Sequence, residues 1–431
     1  MTLDRFEQQL SEGLVDLAAA RVPDYVEDLL QRTSGTRQRP AWSSIERWFS
    51  VDIGVLLPTT RAPAWRPLII VVVLALLAVF GAVAYVASRP PRALPPPFGL
   101  AANGAIVIGS VSEGQGDIVL IDPLTGVSSP FVGGAANDVA PTFSNDGRRV
   151  AFLRTFSHEL AAVFVANADG SGVRQVTPTW PSIESFNWAP DGERLAVTRK
   201  VGGRHETEIV AVETGESTPL DLDPRLGVTD VTWRPGTNQL ILHHADPEGR
   251  PGATYFLADD AGRNPRQIPV AADAILGGSL SPDGRLIAYS SWTSTSGREG
   301  RIHLIDIESG IDREPLLEGS ADSIDLDPTF SPDGTKLLID RYSEDSYQVV
   351  VVPSDGVGPA IPLGPRHPTG TGGSHALFSP DGTTVLVSYN DNGDMWLLDA
   401  DGGEERRLPW TGPEGLSWPG PEGLTWQRVA P

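Results

Sequence analysis

Cysteine is absent from this chain of 431 residues, and lysine is nearly absent, since Lys200 and Lys336 are the only two. Without cysteine there is no disulfide, no thiolate metal ligand and no cysteine nucleophile. Basic residues are outnumbered, with 33 lysines and arginines against 55 aspartates and glutamates, so the formal charge is −22. Nucleic-acid binding needs clustered positive charge, and this balance therefore argues against a nucleic-acid partner.

Motifs for catalysis and metal binding are also missing. The chain contains no G-x-S-x-G elbow, which argues against an α/β-hydrolase active site. Its seven histidines form no H-E-x-x-H or comparable spacing. The acidic Asp-Gly stretches lack the ligand spacing of a calcium loop. We assign no catalytic residue, no cofactor and no metal ligand, and we expect a protein that is not an enzyme.

One long apolar run divides the chain. Leu68 to Ala87 contains no charged residue over twenty positions, a length that matches the hydrocarbon core of a bilayer. A buried helix or a cleaved signal peptide are the alternatives, but a signal peptide begins near residue 1. Arginines are more frequent before the run than just after it. We predict a transmembrane helix at 67–87, a cytoplasmic N-terminus and an extracytoplasmic C-terminal part.

The N-terminal part, residues 1–66, predicts two or three short amphipathic helices. Ser43-Ser44-Ile45-Glu46 forms a capping box before a segment that carries Trp48 and Phe49. Together with Trp42 these aromatic residues predict a helix that binds a cytoplasmic regulatory protein; alternatively the helix lies on the membrane. On the other side of the span, the proline-rich segment 88–102 predicts an extended linker.

A repeat occupies most of the remaining chain. An aromatic or leucine residue precedes a turn of the type Ser-Pro-Asp-Gly, and an apolar strand follows, as in TFSPDGTKLLI at 329–339. The anchor residues recur every 45 to 50 positions, at Phe143, Trp188, Trp233, Leu280, Phe330 and Phe378. Each unit contains four strand-like segments, and this period predicts the blades of a β-propeller.

The two ends of the repeat region complete each other. Residues 105–131 contain three strand-like segments, and 423–429 contain one, with Trp426 in register 48 residues after Phe378. Pairing these segments would form a seventh blade and remove the free sheet edges. We therefore predict an all-β fold, a seven-bladed propeller over 103–431, with six blades as the fallback.

The repeated unit, with Asp-Gly in five of its six copies, resembles the TolB-type, WD-repeat-like propeller repeat. This resemblance implies a binding or scaffolding module. The arrangement of a cytoplasmic helical segment, one span and an exported domain resembles that of membrane-anchored anti-sigma factors. Residues 1–66 contain neither the histidine nor the cysteine of the zinc-binding pattern common in those factors.

Acidic residues lie shortly before the anchors, where the innermost strands of a propeller begin. Carboxylates at these positions would converge near one mouth of the central channel, where a cation or a basic peptide could bind. Alternatively they form hydrogen bonds to neighbouring blades. The candidate ligand-binding residues at this channel mouth are Asp138, Glu184, Asp230, Asp325, Asp327, His375 and Glu422.

These observations favour a membrane-tethered, extracytoplasmic propeller that binds a protein, peptide or glycan. It would sense this ligand and regulate a cytoplasmic partner, such as a sigma factor, through residues 1–66. The alternatives are an envelope scaffold of TolB type without signalling, and a metal-using propeller enzyme of the lyase or lactonase type.

Overall fold

Each copy of the repeat forms one four-stranded antiparallel sheet, or blade, in the computed structural model. The structure describes residues 74–76, 98–112, 115–133, 136–157, 160–244, 254–270, 274–293, 299–315, 317–319, 323–368, 374–389, 394–411 and 423–430. Within these ranges there are seven such sheets, one of which carries a fifth strand of two residues. The prediction of an all-β, seven-bladed propeller is confirmed.

We number the blades along the chain, beginning with the one that joins both ends. Blades 1 and 2 contain β29 (Leu424–Val429), β1 (Ala102–Ser112), β2 (Gln115–Ile121) and β3 (Ser128–Val132), then β4 (Asn137–Phe143), β5 (Arg149–Thr155), β6 (Leu160–Asn167) and β7 (Arg174–Gln175). The two-residue strand β8 (Trp180–Pro181) pairs with β6. Blades 3 and 4 contain β9 (Ile183–Trp188), β10 (Arg194–Val201), β11 (Arg204–Ala211) and β12 (Ser217–Pro219), then β13 (Val228–Trp233), β14 (Leu240–His244), β15 (Thr254–Ala258) and β16 (Arg266–Ile268).

The last three blades follow the same order, with the anchor residue at the end of the innermost strand. Blades 5, 6 and 7 contain β17 (Ala274–Leu280), β18 (Leu286–Thr293), β19 (Glu299–Asp306) and β20 (Asp312–Arg313), then β21 (Ile324–Phe330), β22 (Lys336–Tyr342), β23 (Ser346–Pro353) and β24 (Ile361–Pro368), then β25 (Ser374–Phe378), β26 (Thr384–Tyr389), β27 (Asp394–Asp399) and β28 (Glu405–Thr411). A 3₁₀ helix at Pro224–Leu226 precedes blade 4.

The chain ends close the ring as predicted. Strand β29 pairs antiparallel with β1, with Trp426 opposite Ile106. The Trp426 indole donates a hydrogen bond to the Gly104 carbonyl at 3.0 Å. The Gln427 amide donates at 2.7 Å to the carbonyl of Gly147 in blade 2. The C-terminal strand is therefore the innermost strand of blade 1.

The Ser-Pro-Asp-Gly turn is held by its own side chains. In blade 6 the Ser331 hydroxyl donates to Asp333 at 2.6 Å and accepts from the Lys336 amide at 3.0 Å. Gly334 has φ +75°, a conformation that glycine adopts without steric cost. The divergent turn after Trp233 uses Thr237 instead, whose hydroxyl donates to the Arg234 carbonyl at 3.1 Å.

The hydrophobic core is divided among the seams between blades. Among the described residues, seven buried apolar clusters each combine two neighbouring blades. At the closing seam, for example, Leu386 of blade 7 packs with Ile106 and Trp426 of blade 1. A propeller buries the apolar faces of its sheets against each other, so each blade depends on its two neighbours.

Most of the N-terminal predictions fall outside the described residues. Of residues 1–97 only 74–76 are described, and they are helical. Across the described ranges, none of the helices has the length and apolar character that a membrane crossing requires. The span at 67–87, the cytoplasmic segment with Trp42, Trp48 and Phe49, and the linker remain predictions.

Candidate functional site

The structure places six of the seven candidate channel-mouth residues at or near the beginning of innermost strands. They lie on β4, β9, β13, β21 and β25, and Glu422 is outside the described residues. Five blades therefore contribute a polar side chain to the same end of the propeller. What each side chain contacts differs from blade to blade.

Asp138 and Asp325 form matching ion pairs inside their own blades. Arg154 donates to the two carboxylate oxygens of Asp138 at 2.7 and 2.8 Å, and Arg341 donates to those of Asp325 at 2.7 and 2.9 Å. Each aspartate is only 1% exposed. Hydrogen bonding to Asp138 also raises the pKa of Arg154 above its ordinary value. These two carboxylates are therefore engaged by arginines of the adjacent strands.

Glu184 and Asp230 are bound by neighbouring side chains as well. The Glu184 carboxylate lies 2.8 Å from Nε2 of His205, two strands away in blade 3. Asp230 of blade 4 accepts a hydrogen bond at 2.7 Å from the Asn187 amide of blade 3. The contact between Asn187 and Asp230 crosses a seam between blades.

Asp327 and His375 differ from the other candidates. Asp327 has φ 52°, and its backbone amide donates to the Ser290 hydroxyl of blade 5 at 2.9 Å. Its side chain is exposed to solvent, yet the surrounding protein raises the pKa of its carboxyl group. A position that lines a channel has this combination of access to water and many protein neighbours. Burial lowers the pKa of the His375 imidazole, which favours its neutral form at pH 7.

A carboxylate that the sequence analysis did not single out lies beside Asp327. Asp340, on β22, is 7% exposed, and the Ser374 hydroxyl of blade 7 lies 3.0 and 3.2 Å from its two oxygens. Burial is the largest cause of a pKa of about 7 for Asp340; the Ser374 hydrogen bond lowers this pKa, and the charge of Asp327 raises it. In the sequence, Asp340 differs from its neighbours only in being the acidic residue that follows the apolar residues 337–339.

Asp340→Asn is expected to stabilise the protein above pH 7 and to leave its stability near pH 4 unchanged. The folded carboxyl group keeps its proton up to about pH 7, whereas the unfolded one releases it near 3.8. As the pH rises from about 4 to about 7, the free energy of unfolding of the parent protein therefore falls by at most about 4 kcal/mol because of this group. Urea unfolding of both proteins at pH 4, 6 and 8 measures this difference.

The control for this experiment is Asp345→Asn, which changes an exposed carboxylate at the turn before β23. It should shift the free energy of unfolding by less than about 0.5 kcal/mol at each pH. If the Asp340→Asn variant and the parent protein are equally stable at pH 8, the charged Asp340 carboxylate does not destabilise the folded protein, and the prediction is wrong.

The described residues offer no ready-made metal site. Within the described ranges, no three histidine, aspartate or glutamate side chains lie close enough together to hold a metal ion. The two most deeply buried candidates, Asp138 and Asp325, already bind arginine. The candidate helix residues Trp42, Trp48 and Phe49 are outside the described residues.

Comparison with curated proteins finds relatives that are named as peptidases. No family model matches the chain. Dipeptidyl-peptidase 5 of Porphyromonas endodontalis is 24% identical over 279 residues, which are 58% of this chain and 37% of the peptidase. The chain thus spans less than two fifths of the length of this curated relative.

Several solved structures are similar to this chain in fold. A prolyl endopeptidase is similar over 74% of this chain and 51% of its own, with 12% identity and a TM-score of 0.54. Oligogalacturonate lyase from Vibrio parahaemolyticus is similar over 72% of this chain and 92% of its own, with 15% identity and a TM-score of 0.53. TolB from Acinetobacter baumannii is also among the neighbours, over 78% of this chain and 68% of its own, with 16% identity and a TM-score of 0.46.

These comparisons contradict the expectation that the chain is not an enzyme. The curated relatives are named as peptidases, and peptidases and a lyase are among the similar structures. The expectation rested on missing motifs, and the lack of a G-x-S-x-G elbow excludes one catalytic design only. TolB-type propellers are among the structural neighbours, as the repeat predicted.

Proposed function

We propose that the chain is a membrane-tethered, extracytoplasmic propeller that binds peptides at its channel mouth in the service of a peptidase-type activity. Two observations support the choice of a peptide. The curated relatives are peptidases by name, and their matches cover 58% and 41% of this chain. The membrane tether rests on the uncharged run Leu68 to Ala87.

The observation that carries this proposal is the position of Asp327. Asp138, Glu184, Asp230 and Asp325 all contact neighbouring protein groups. Asp327 instead combines solvent access with a carboxyl group that protein surrounds. A ligand that brings a positive charge to such a carboxylate gains a charge-assisted hydrogen bond. The amino terminus or a basic side chain of a peptide supplies that charge.

Asp327→Asn is expected to weaken the binding of a basic peptide about tenfold or more, because a charge-assisted hydrogen bond contributes about 1.5–3 kcal/mol. Isothermal titration of the full-length protein in detergent with a tetra-arginine peptide measures this loss. Asp355→Asn is the matched control, since Asp355 is an exposed carboxylate of the same blade at the opposite end of the strands. Equal affinity of both variants would refute the channel-mouth site.

Peptidase-type activity is tested separately, with a panel of fluorogenic dipeptide and prolyl substrates. Cleavage by the full-length protein, or faster cleavage by a co-purifying enzyme in its presence, is the expected result. If peptides bind and neither outcome is seen, the binding part of the proposal stands and the link to a peptidase is removed.

Regulation of a cytoplasmic protein is a second candidate function. It is favoured by the amphipathic patterns in residues 1–66 ahead of the uncharged run. Affinity purification with residues 1–66 should recover a sigma factor or another regulatory protein. Recovery of nothing would favour an envelope scaffold without signalling.

A further inference from the structure

Arginine side chains clamp the seam between blades 2 and 3. Arg149 donates to the Gly192 carbonyl at 2.9 Å and binds the Glu213 carboxylate. Arg174 donates to the backbone carbonyls of Val212 and Glu213. Two arginines of one blade thus hold the turn between the third and fourth strands of the next blade. We call this arrangement the seam clamp.

The seam between blades 4 and 5 has the same clamp. Arg234 donates to the Gly284 carbonyl at 2.7 Å and binds Glu308. Arg266 donates to the Ile307 carbonyl at 2.9 Å. Its guanidinium also lies 3.6 Å from the Glu308 carboxylate. In each clamp both arginines therefore donate to backbone carbonyls, and both lie within ion-pair distance of the same glutamate.

The closing seam, between blades 7 and 1, keeps only half of the clamp. Arg406 donates to the Leu124 carbonyl at 2.9 Å and to the Pro123 carbonyl. Counted from the glycine of each turn, these carbonyls correspond to those bound by Arg174. Leu124 itself stands where the other clamps have Glu213 and Glu308. The carboxylate of the clamp is therefore replaced by a leucine that is 83% exposed.

The second arginine is missing from the closing seam as well. Arg149 is the first residue of β5, and Lys336 is the first residue of β22, from which it crosses to Asp401 of the next blade. The first residue of β26 is Thr384. A threonine side chain is too short to reach across a seam, so no guanidinium or ammonium group comes from this position.

A groove opens where these groups are missing. Blade 1 has no turn between its first two strands, because β29 and β1 come from distant parts of the chain. The glycine carbonyls that receive Arg149 and Arg234 thus have no counterpart there. The resulting groove has a volume of about 880 Å³, with Thr384, Leu124 and Trp426 in its lining. It lies at the opposite end of the strands from the channel mouth.

Negative charge surrounds this seam groove. Among the described residues, its lining contains Asp122, Asp399, Asp401 and Glu404 but only one arginine, Arg406. The Arg406 guanidinium binds the two turn carbonyls, and Lys336 offsets Asp401. Hydrogen bonds from the Leu124 and Thr125 amides lower the pKa of Asp122, which keeps its carboxylate charged. Within the part of the chain that the structure describes, the groove therefore has an acidic rim and an apolar wall, and its arginine is already bound to backbone carbonyls.

We propose that the seam groove binds an arginine side chain of an extended peptide from a separate chain. The guanidinium binds the rim carboxylates Asp399 and Glu404, since the glycine carbonyl and the glutamate that hold Arg149 and Arg234 have no counterpart here. Apolar residues flanking this arginine pack on Leu124 and on the half-buried Leu120 of the groove lining. This site is independent of the channel mouth and of the peptidase-type function proposed above.

The test uses fluorescence anisotropy with full-length protein in detergent micelles. The probe is a labelled Gly-Leu-Arg-Leu-Gly peptide with blocked ends, and its analogue carries neutral citrulline in place of arginine. We expect the arginine peptide to bind at least tenfold more tightly, because citrulline keeps the shape but loses the charge. Equal affinity of the two peptides would overturn the proposal.

Thr384→Arg would fill the groove with the chain's own guanidinium and should reduce binding of the arginine peptide at least tenfold. Thr214→Arg is the matched control, because Thr214 is exposed on a turn that is already clamped. Glu404→Gln, an exposed substitution on the rim, should weaken binding several-fold whether or not the Thr384 variant folds. Unchanged binding in the Glu404 variant would count against the site.

The chain's own arginines supply the last control. Arg89 and Arg92 lie in the segment that precedes the propeller. If the peptide binds only after both are replaced by alanine, the occupant is this segment and the proposed separate partner is wrong. Binding with both arginines present supports the proposal.

Discussion

Deleting residues 424–431 is expected to abolish cooperative unfolding of the propeller. The deletion removes β29, the innermost strand of blade 1, together with the buried side chains of Leu424 and Trp426. It also opens the ring and exposes the inner edge of β1, which β29 covers over most of its length. Circular dichroism and differential scanning calorimetry should show no sharp transition, or one at a much lower temperature.

Two smaller changes make this prediction specific. Trp426→Ala should cost about 3–5 kcal/mol, since it leaves a cavity at the closing seam and removes the hydrogen bond to Gly104. Deleting residues 430–431 alone shortens the chain beyond the last strand and should change stability by less than about 0.5 kcal/mol. A normal transition after removal of 424–431 would show that β29 does not hold the ring together.

Asp325→Asn is expected to cost about 3–5 kcal/mol of unfolding free energy, because it leaves the buried charge of Arg341 without its counterion. The aspartate is 1% exposed, and the Arg341 side chain is 15% exposed. Asp138→Asn should have a similar effect through Arg154, since blade 2 contains the same pair at the same spacing. Urea unfolding at pH 7 measures both values.

The exposed pair of Asp191 and Arg194 is the matched control. Its side chains are 37% and 42% exposed, so Asp191→Asn should cost less than about 1 kcal/mol. Replacing both Asp325 and Arg341 with leucine removes the uncompensated charge and should be less destabilising than Asp325→Asn alone. If the double variant is the less stable one, the cost lies in lost packing and not in the buried charge.

The repeat made the blades predictable, and the pattern at its ends made the closure predictable. The anchors from Phe143 to Phe378 each end an innermost strand, and Trp426 lies on β29 in register with them. These features depend on local turn chemistry and on alternation within single strands. Turn chemistry and alternation can each be recognised in a short stretch of sequence.

The contacts of the candidate carboxylates could not be predicted in the same way. Asp138 and Asp325 lie five positions before their anchors and bind arginine, whereas Asp327, two positions after Asp325, faces solvent. The outcome depends on whether the adjacent strand supplies an arginine and how the strand bulges. Asp340 was missed because its neighbour Ser374 belongs to another blade, 34 positions away.

The groove at the closing seam shows the same limit more sharply. Thr384, Leu124 and Arg406 are unremarkable as single residues in the sequence, and nothing links them before the ring is closed. Only the comparison of seams shows which groups are missing there.

The sequence by itself determined the number of blades, the ring closure and the acidic character of the surface, because these follow from repeat period, local pattern and composition. The tertiary structure alone decided which charges are paired and where a groove opens. Those properties depend on distances between side chains of different blades, and the chain brings such side chains together only when the seams pack.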